Sequence, residues 1–176
     1  MEEKEYRSRG GNSIIVRKAT KRDASTMLRN LALVAAEEIY IGIEQVKLRH
    51  RKELLERIKD RRCLTTVALV GGKIVATSSL WNTHLKKMDH VRELGISVID
   101  GYREMGVGRA MIDYDLKWAR KQKGIKKIQL GVFSSNKRAV HLYEKFGFKV
   151  EGLLKRQHIL KGKYADELRM ALFLRK

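Results

Sequence analysis

Proline is missing from these 176 residues and cysteine occurs once. The lack of proline runs against the proline-enriched loops usual in proteins of hot habitats. A single cysteine, Cys63, excludes an internal disulfide. It stands in the run Cys63-Leu64-Thr65-Thr66-Val67-Ala68-Leu69-Val70 with no Cys–His pairing nearby in sequence, so it reads as a buried strand residue and not as a nucleophile. No apolar run approaches the roughly 18 residues of a membrane span. The N-terminus, with Glu2, Glu3, Lys4 and Glu5, lacks the apolar core of a secretory signal, so a cytoplasmic protein away from membranes is expected. Acidic residues are scarce too: 20 Asp plus Glu stand against 39 Lys plus Arg, a formal net charge of +19. Such a field draws polyanions, which makes a nucleic acid or a ribosomal surface a candidate partner. Against this, the cations are spread along the whole chain, as on a solvated surface, and do not form one arm.

What is present suffices for one domain. A chain of this length with 43% hydrophobic residues buries a sizeable core without splitting. Residues 1–12, polar and carrying Gly10-Gly11, read as a flexible N-terminal tail, and 13–176 as a single domain. Ile14 to Ala19 reads as a first strand. Thr20 with Asp23 approximates a capping box before a helix that buries Ala24, Met27, Leu28, Leu31 and Val34. A basic helix over about Ile43 to Lys59 follows. Leu64–Val70 and Lys73–Leu80 form a hairpin across Gly71-Gly72. Further strands are expected at Val91–Ile99, Lys127–Phe133, Phe148–Leu153 and Glu167–Leu174, with helices at Gly108–Lys123 and Lys137–Phe146. Strands alternate with helices, which implies a mixed α/β sheet.

The most telling stretch is Ile96-Ser97-Val98-Ile99-Asp100-Gly101-Tyr102-Arg103-Glu104-Met105-Gly106-Val107-Gly108-Arg109-Ala110. A β-branched run, a glycine turn and an amphipathic helix in that order make an anion site, because the glycines let backbone N–H groups converge where the helix dipole is positive. A diphosphate fits such a site. A Rossmann or P-loop site does not match, since no Gly-Lys-Ser/Thr opens the helix and Met111 stands where a third fingerprint glycine belongs. A plain capping turn is the bland alternative for the loop alone.

A second pattern lies downstream, Asn136-Lys137-Arg138-Ala139-Val140-His141-Leu142-Tyr143-Glu144-Lys145-Phe146-Gly147-Phe148. With both patterns the chain resembles the GNAT superfamily of acetyl-CoA-dependent N-acetyltransferases over nearly its whole length, from about Ile14 to Leu174. Arg103, Glu104, Met105, Gly106, Val107 and Gly108 match the family's Gln/Arg-x-x-Gly-x-Gly/Ala loop. Asn136, Ala139, Leu142, Tyr143, Gly147 and Phe148 match its Asn-x-x-Ala-x-x-Leu-Tyr-x-x-x-Gly-Phe motif.

The resemblance implies a GNAT-like, largely antiparallel sheet with splayed middle strands flanked by helices, and acetyl-CoA as co-substrate with no metal. Coenzyme contacts would come from Arg103 to Arg109, from Asn136 and Tyr143, and from the backbone of Ile96, Ser97 and Val98 along the pantetheine. Tyr143 would be the general acid for the departing sulfur. Its alternative is a half-buried helix aromatic.

An alkyl amine with a pKa near 10.4 is only about one part in 10³ neutral at pH 7, so a base or a proton wire is needed. By the resemblance Glu93, on the strand before the loop where several members of the family carry a glutamate base, is the candidate, against the plainer reading that it pairs with Arg92 or a lysine. His90 is a weaker one. The resemblance implies a primary amine of a small molecule or of a protein as acceptor, with Glu37, Glu38, Tyr40 and His158 to Asp166 around it, and Glu37, Glu38 and Glu44 are candidates for an acidic pocket. The competing reading is a basic nucleic-acid- or ribosome-associated protein that keeps the fold without turnover. A homodimer stays open.

Overall fold

Alternating apolar and polar residues pair into one eight-stranded sheet, and the helices between them cover its two faces. The computed structural model describes residues 2–8, 10–83 and 85–174. Met1, Arg9, His84, Arg175 and Lys176, which fall within the tail and domain ranges expected above, lie outside the described residues. The strands are β1 (Lys4–Arg7), β2 (Ser13–Lys18), β3 (Leu64–Val70), β4 (Lys73–Trp81), β5 (Val91–Val98), β6 (Lys127–Phe133), β7 (Lys149–Leu160) and β8 (Lys163–Phe173). The helices are α1 (Ala24–Ala36), α2 (Leu48–Lys59), α3 (Val107–Lys121) and α4 (Lys137–Lys145). Among the described residues, no helix is long and apolar enough to cross a membrane.

Three elements differ from the sequence reading. Residues 4–7, placed in a loose tail, form β1 and pair with β2 from Lys4↔Val16 to Arg7↔Ser13. Tyr6 fastens that strand by donating its hydroxyl to Asp113 of α3 at 2.8 Å. The closing strands are longer than expected and meet in a hairpin whose turn lies between Leu160 and Lys163. The basic helix starts at Leu48 and not near Ile43. At the start of α1 the capping box holds: the Thr20 backbone N–H donates to Asp23 at 2.7 Å. The β3–β4 turn has φ of +56° at Gly71 and +75° at Gly72, the double left-handed backbone of a primed hairpin turn.

Spatial order is β1-β2-β3-β4-β5-β6-β8-β7. Every neighbouring pair is antiparallel except β5 and β6, which run parallel for three residue pairs only: Val91↔Lys127, Arg92↔Ile128 and Glu93↔Gln129. Past that point β5 follows β4, from Leu94↔Leu80 to Val98↔Ala76, while β6 follows β8, from Leu130↔Met170 to Phe133↔Glu167. The two middle strands therefore part at Glu93 and Gln129. Residues 94–98 and 130–133 are left with one strand edge each toward the gap.

Cross-strand register assigns the faces. Leu94, Ile128, Leu130 and Met170 join Met111, Tyr114 and Trp118 of α3, with Tyr143 and Phe148, in one buried cluster. The opposite face carries Glu93, Gln129 and Arg169. Trp81, paired with Glu93, stacks there under Arg57 of α2, with the guanidinium 4.3 Å from the ring.

Candidate active site

The turn between β5 and α3 is made by backbone conformation. Gly106 caps α3 at φ +92°, left-handed backbone that strains a residue bearing a Cβ by roughly 1–2 kcal/mol. The first bond inside the helix runs from the Ala110 N–H to the Gly106 carbonyl, 3.0 Å. The N–H groups of Val107, Gly108 and Arg109 therefore have no acceptor within the helix and stand at its positive end, the arrangement that receives a diphosphate. Gly108 itself is helical. A Cβ there would meet Leu142 Cδ2 at 3.4 Å, so the need for glycine falls on position 106 rather than 108.

The side chains of this loop are occupied elsewhere. Arg103 donates to both carboxylate oxygens of Glu37 at 2.7 and 2.5 Å, and to the Val98 carbonyl at 3.0 Å. Its guanidinium also lies 4.3 Å from the Tyr40 ring. Glu104, itself at φ +65°, pairs with Arg138 at the start of α4. The loop is clamped on one side to the end of α1 and on the other to α4.

Asn136 caps α4, its side-chain oxygen accepting the Ala139 N–H at 3.2 Å. Farther along the same helix Tyr143 is buried, 7% exposed, rather than half-buried, with its ring 5.7 Å from that of Phe148. Burial pushes its phenol well above the ordinary range, which keeps the hydroxyl protonated and able to donate.

Across the gap lies a network that joins four strands. Glu93 accepts from Gln129 at 2.8 Å and from Arg169 at 2.9 and 3.2 Å, so its partner is neither Arg92 nor a lysine. Arg92 is buried and gives its guanidinium to the carbonyls of Arg62, Asp89 and Val91. Arg169 also donates to Glu167 at 3.2 Å, and the other oxygen of Glu167 lies 2.6 Å from His158 Nε2. Phe133 meets the His158 ring edge-on at 5.0 Å. Gly131 makes room for this packing, because a Cβ there would collide with the Glu167 carboxylate and lie 3.0 Å from Arg169 Nη1. His90 is exposed at the far end of β5. Glu38 and Glu44 are exposed as well, and Glu37 is the acidic residue of that group taken by Arg103.

Gln129, Glu167 and Arg169 were not singled out from sequence. The available signal is their alternation: Glu167 and Arg169 interleave with Leu168 and Met170 on β8, which places two charges on the face opposite the core.

The acetyltransferase (GNAT) family model matches residues 31–148. An L-amino acid N-acetyltransferase of Escherichia coli (strain K12) is 29% identical over 165 residues, covering 91% of this chain and 98% of its own. An N-alpha-acetyltransferase of Sulfurisphaera tokodaii is 27% identical over 157 residues, covering 83% and 90% respectively. Among solved structures, an acetyltransferase of the GNAT family from Streptococcus pneumoniae superposes with a TM-score of 0.85 at 24% identity, covering 92% of this chain and 99% of its own. The mixed sheet that splits beside a helix N-terminus is the fold this chain shares with that structure. The chain belongs to the acetyltransferase (GNAT) family, and its reaction is transfer of the acetyl group of acetyl-CoA to an amine.

Proposed function

We propose that the acceptor is an α-amino group, of a free amino acid or a peptide terminus, brought to the gap from the polar face of the sheet. Two relatives named above, an L-amino acid N-acetyltransferase and an N-alpha-acetyltransferase, support this class. The observation that carries the reading is the parting of β5 and β6 at Glu93 and Gln129, with an acidic side chain at the mouth and two open strand edges behind it. The α-amine of a peptide terminus, with an ordinary pKa near 8, is roughly a tenth neutral at pH 7.

In this reading the N–H groups of residues 107–109 hold the diphosphate, with Arg103 keeping the loop in shape and Arg109 beside it. Glu104, Met105 and Gly106 complete the loop, and Asn136 fixes the start of α4. The backbone of Ile96, Ser97 and Val98 lines the pantetheine as an added strand would. The amine nitrogen attacks the thioester carbonyl, a backbone N–H at the end of β5 receives the oxyanion, and Tyr143 gives its proton to the sulfur as the C–S bond breaks. Tyr143 regains a proton from the nitrogen of the new amide. Glu93 draws the cationic amine to the gap and holds Arg169.

A panel of L-amino acids, short peptides and polyamines, assayed by coenzyme thiol release, tests the assignment. Turnover is expected on α-amines. Turnover confined to polyamines or lysine side chains would overturn it. A cytoplasmic location fits the acetyl-CoA requirement and the unpaired Cys63. The exposed cations of α2, among them Arg49, Arg51, Lys52 and Lys59, support a second contact with a polyanion such as ribosomal RNA. Retention on an anionic polymer across a salt series checks it.

A further inference from the structure

We infer that the His158–Glu167 pair, rather than Glu93, takes the proton from the acceptor amine. The inference rests on the acceptor reading above and deepens it by naming the group that receives the proton.

Two donors make three contacts with the Glu93 carboxylate: the Gln129 amide on one oxygen and Arg169 Nη2 on both. An ionised carboxylate offers about four lone-pair positions, so most of its accepting capacity is spent inside the protein. A relay from Glu93 along the network is also blocked, because the next member, Arg169, is a guanidinium that does not give up its proton in proteins. The chain of contacts resumes beyond it at Glu167 and ends at His158.

That end has the parts of a base. Glu167, with its side chain 15% exposed, lies 2.6 Å from Nε2 of His158, whose side chain is 28% exposed. A carboxylate so placed holds the proton of the neutral ring on Nε2 and leaves the Nδ1 lone pair to accept. Nδ1 faces the connection between α1 and α2 at Gly42, where a Cβ would come within 3.6 Å of it and within 3.3 Å of Cε1. The charged groups around the ring are Glu167 and, behind it, Arg169 on β8 and Glu93 on β5; β6 contributes the apolar Phe133 and the α1–α2 connection the uncharged Gly42.

The step balances as follows. The ammonium form of the acceptor gives one proton to Nδ1, and the imidazolium so formed is held by the Glu167 carboxylate. The freed nitrogen lone pair forms the C–N bond, the C–S bond breaks, and the second nitrogen proton replaces the one Tyr143 gives to sulfur. His158 then returns its proton to water through its exposed edge.

The test compares His158→Gln and Glu93→Gln against wild type by thiol release from pH 6.5 to 9.5, with an L-amino acid or peptide that the wild type turns over. With a peptide as acceptor, His158→Gln is expected to lower kcat/KM by roughly tenfold near pH 7, the factor by which a terminal amine is short of its neutral form there, and to recover most of it at pH 9.5, where that amine is neutral, with the acetyl-CoA KM unchanged. Glu93→Gln is expected to lose activity by a similar factor at every pH. The reverse pattern, with the pH-dependent loss in Glu93→Gln, overturns the assignment, as does a His158→Gln profile parallel to wild type. Independently of any acceptor, ¹⁵N shifts of the His158 ring in the wild-type protein should report the Nε2–H tautomer. The Nδ1–H tautomer overturns the pair even if the acceptor class is right, whereas an acceptor panel active only on polyamines with the Nε2–H tautomer intact faults the acceptor class alone.

Discussion

The two sides of the gap are built by different means. On the proposed coenzyme side the groups on offer are backbone N–H groups, exposed by one glycine at positive φ and the start of α3, and the residues that make them are contiguous between Arg103 and Ala110. On the acceptor side the groups are side chains, Glu93, Gln129, Glu167, Arg169 and His158, gathered from β5, β6, β8 and β7. A backbone site tolerates exchange of most side chains and depends on conformation. A side-chain network depends on each member and on the register that brings distant strands together. Arg103 joins the two, since it stands in the loop while its guanidinium grips Glu37 at the end of α1 and covers Tyr40.

The sharpest test of that contrast on the coenzyme side is Tyr143, the buried side chain proposed above to give its hydroxyl proton to the sulfur. Tyr143→Phe keeps the ring against Phe148 and is expected to lower kcat by roughly 10²-fold or more with coenzyme affinity near wild type. Wild-type turnover, measured where chemistry limits the rate, would remove it from the mechanism. Next comes Gly106→Val, which forces a β-branched residue into left-handed backbone. Coenzyme affinity by calorimetry should fall at least about tenfold, the equivalent of 1.4 kcal/mol. Gly108→Ala should stay within about threefold, because the new methyl finds ordinary contact with Leu142. Equal losses at the two glycines would mean that close approach to the ligand, and not backbone conformation, sets the requirement.

Arg103→Ala asks whether the two sides are mechanically linked. Hydrogen bonds between charged groups contribute about 1.5–3 kcal/mol each when little exposed, and this side chain is 15% exposed. A fall in Tm of roughly 3–10 °C is expected, with KM rising for acceptor and coenzyme together. A change in one KM alone would show that the clamp serves only that side.

This division also explains what could be read from the chain. The glycine loop, the Asn136 to Phe148 pattern, the β3–β4 hairpin and the capping box at Thr20 are all local, since each depends on residues a few positions apart. The acceptor network is not. Arg169 meets Glu93 across 76 positions and Gln129 meets it across 36, pairings set by the β5–β6 and β6–β8 registers, which no short pattern encodes. For the same reason β1 was missed. Lys4 to Arg7 lacks an apolar run, and what holds it is pairing with β2 and the Tyr6 bond to Asp113, 107 positions away. Arg103 shows the limit in the other direction, because its place in the loop motif suggested a coenzyme contact and said nothing of Glu37.

The smallest expected effect lies beneath the coenzyme side, where α3 packs on the sheet. Asp115 of that helix is fully buried and takes hydrogen bonds from Ser78 and, at 3.1 Å, from Thr66, with no cation pairing with it among the described residues. Burial raises its carboxyl from the ordinary 3.8 to about 7, with the two hydroxyls pulling weakly the other way. Since the folded state holds this proton more tightly than the unfolded chain, its stabilising effect is complete below about pH 4 and is lost as pH rises through 7. Asp115→Asn keeps the shape and removes the titration. The Tm of the variant minus that of wild type should therefore increase between pH 5 and pH 8, by about 2–4 °C for each kcal/mol of penalty removed. Coenzyme affinity should follow the same trend only if the packing of α3 governs its N-terminus. A flat Tm difference across that range would mean that Asp115 does not change protonation there, and that the coenzyme side rests on a helix whose docking is indifferent to pH.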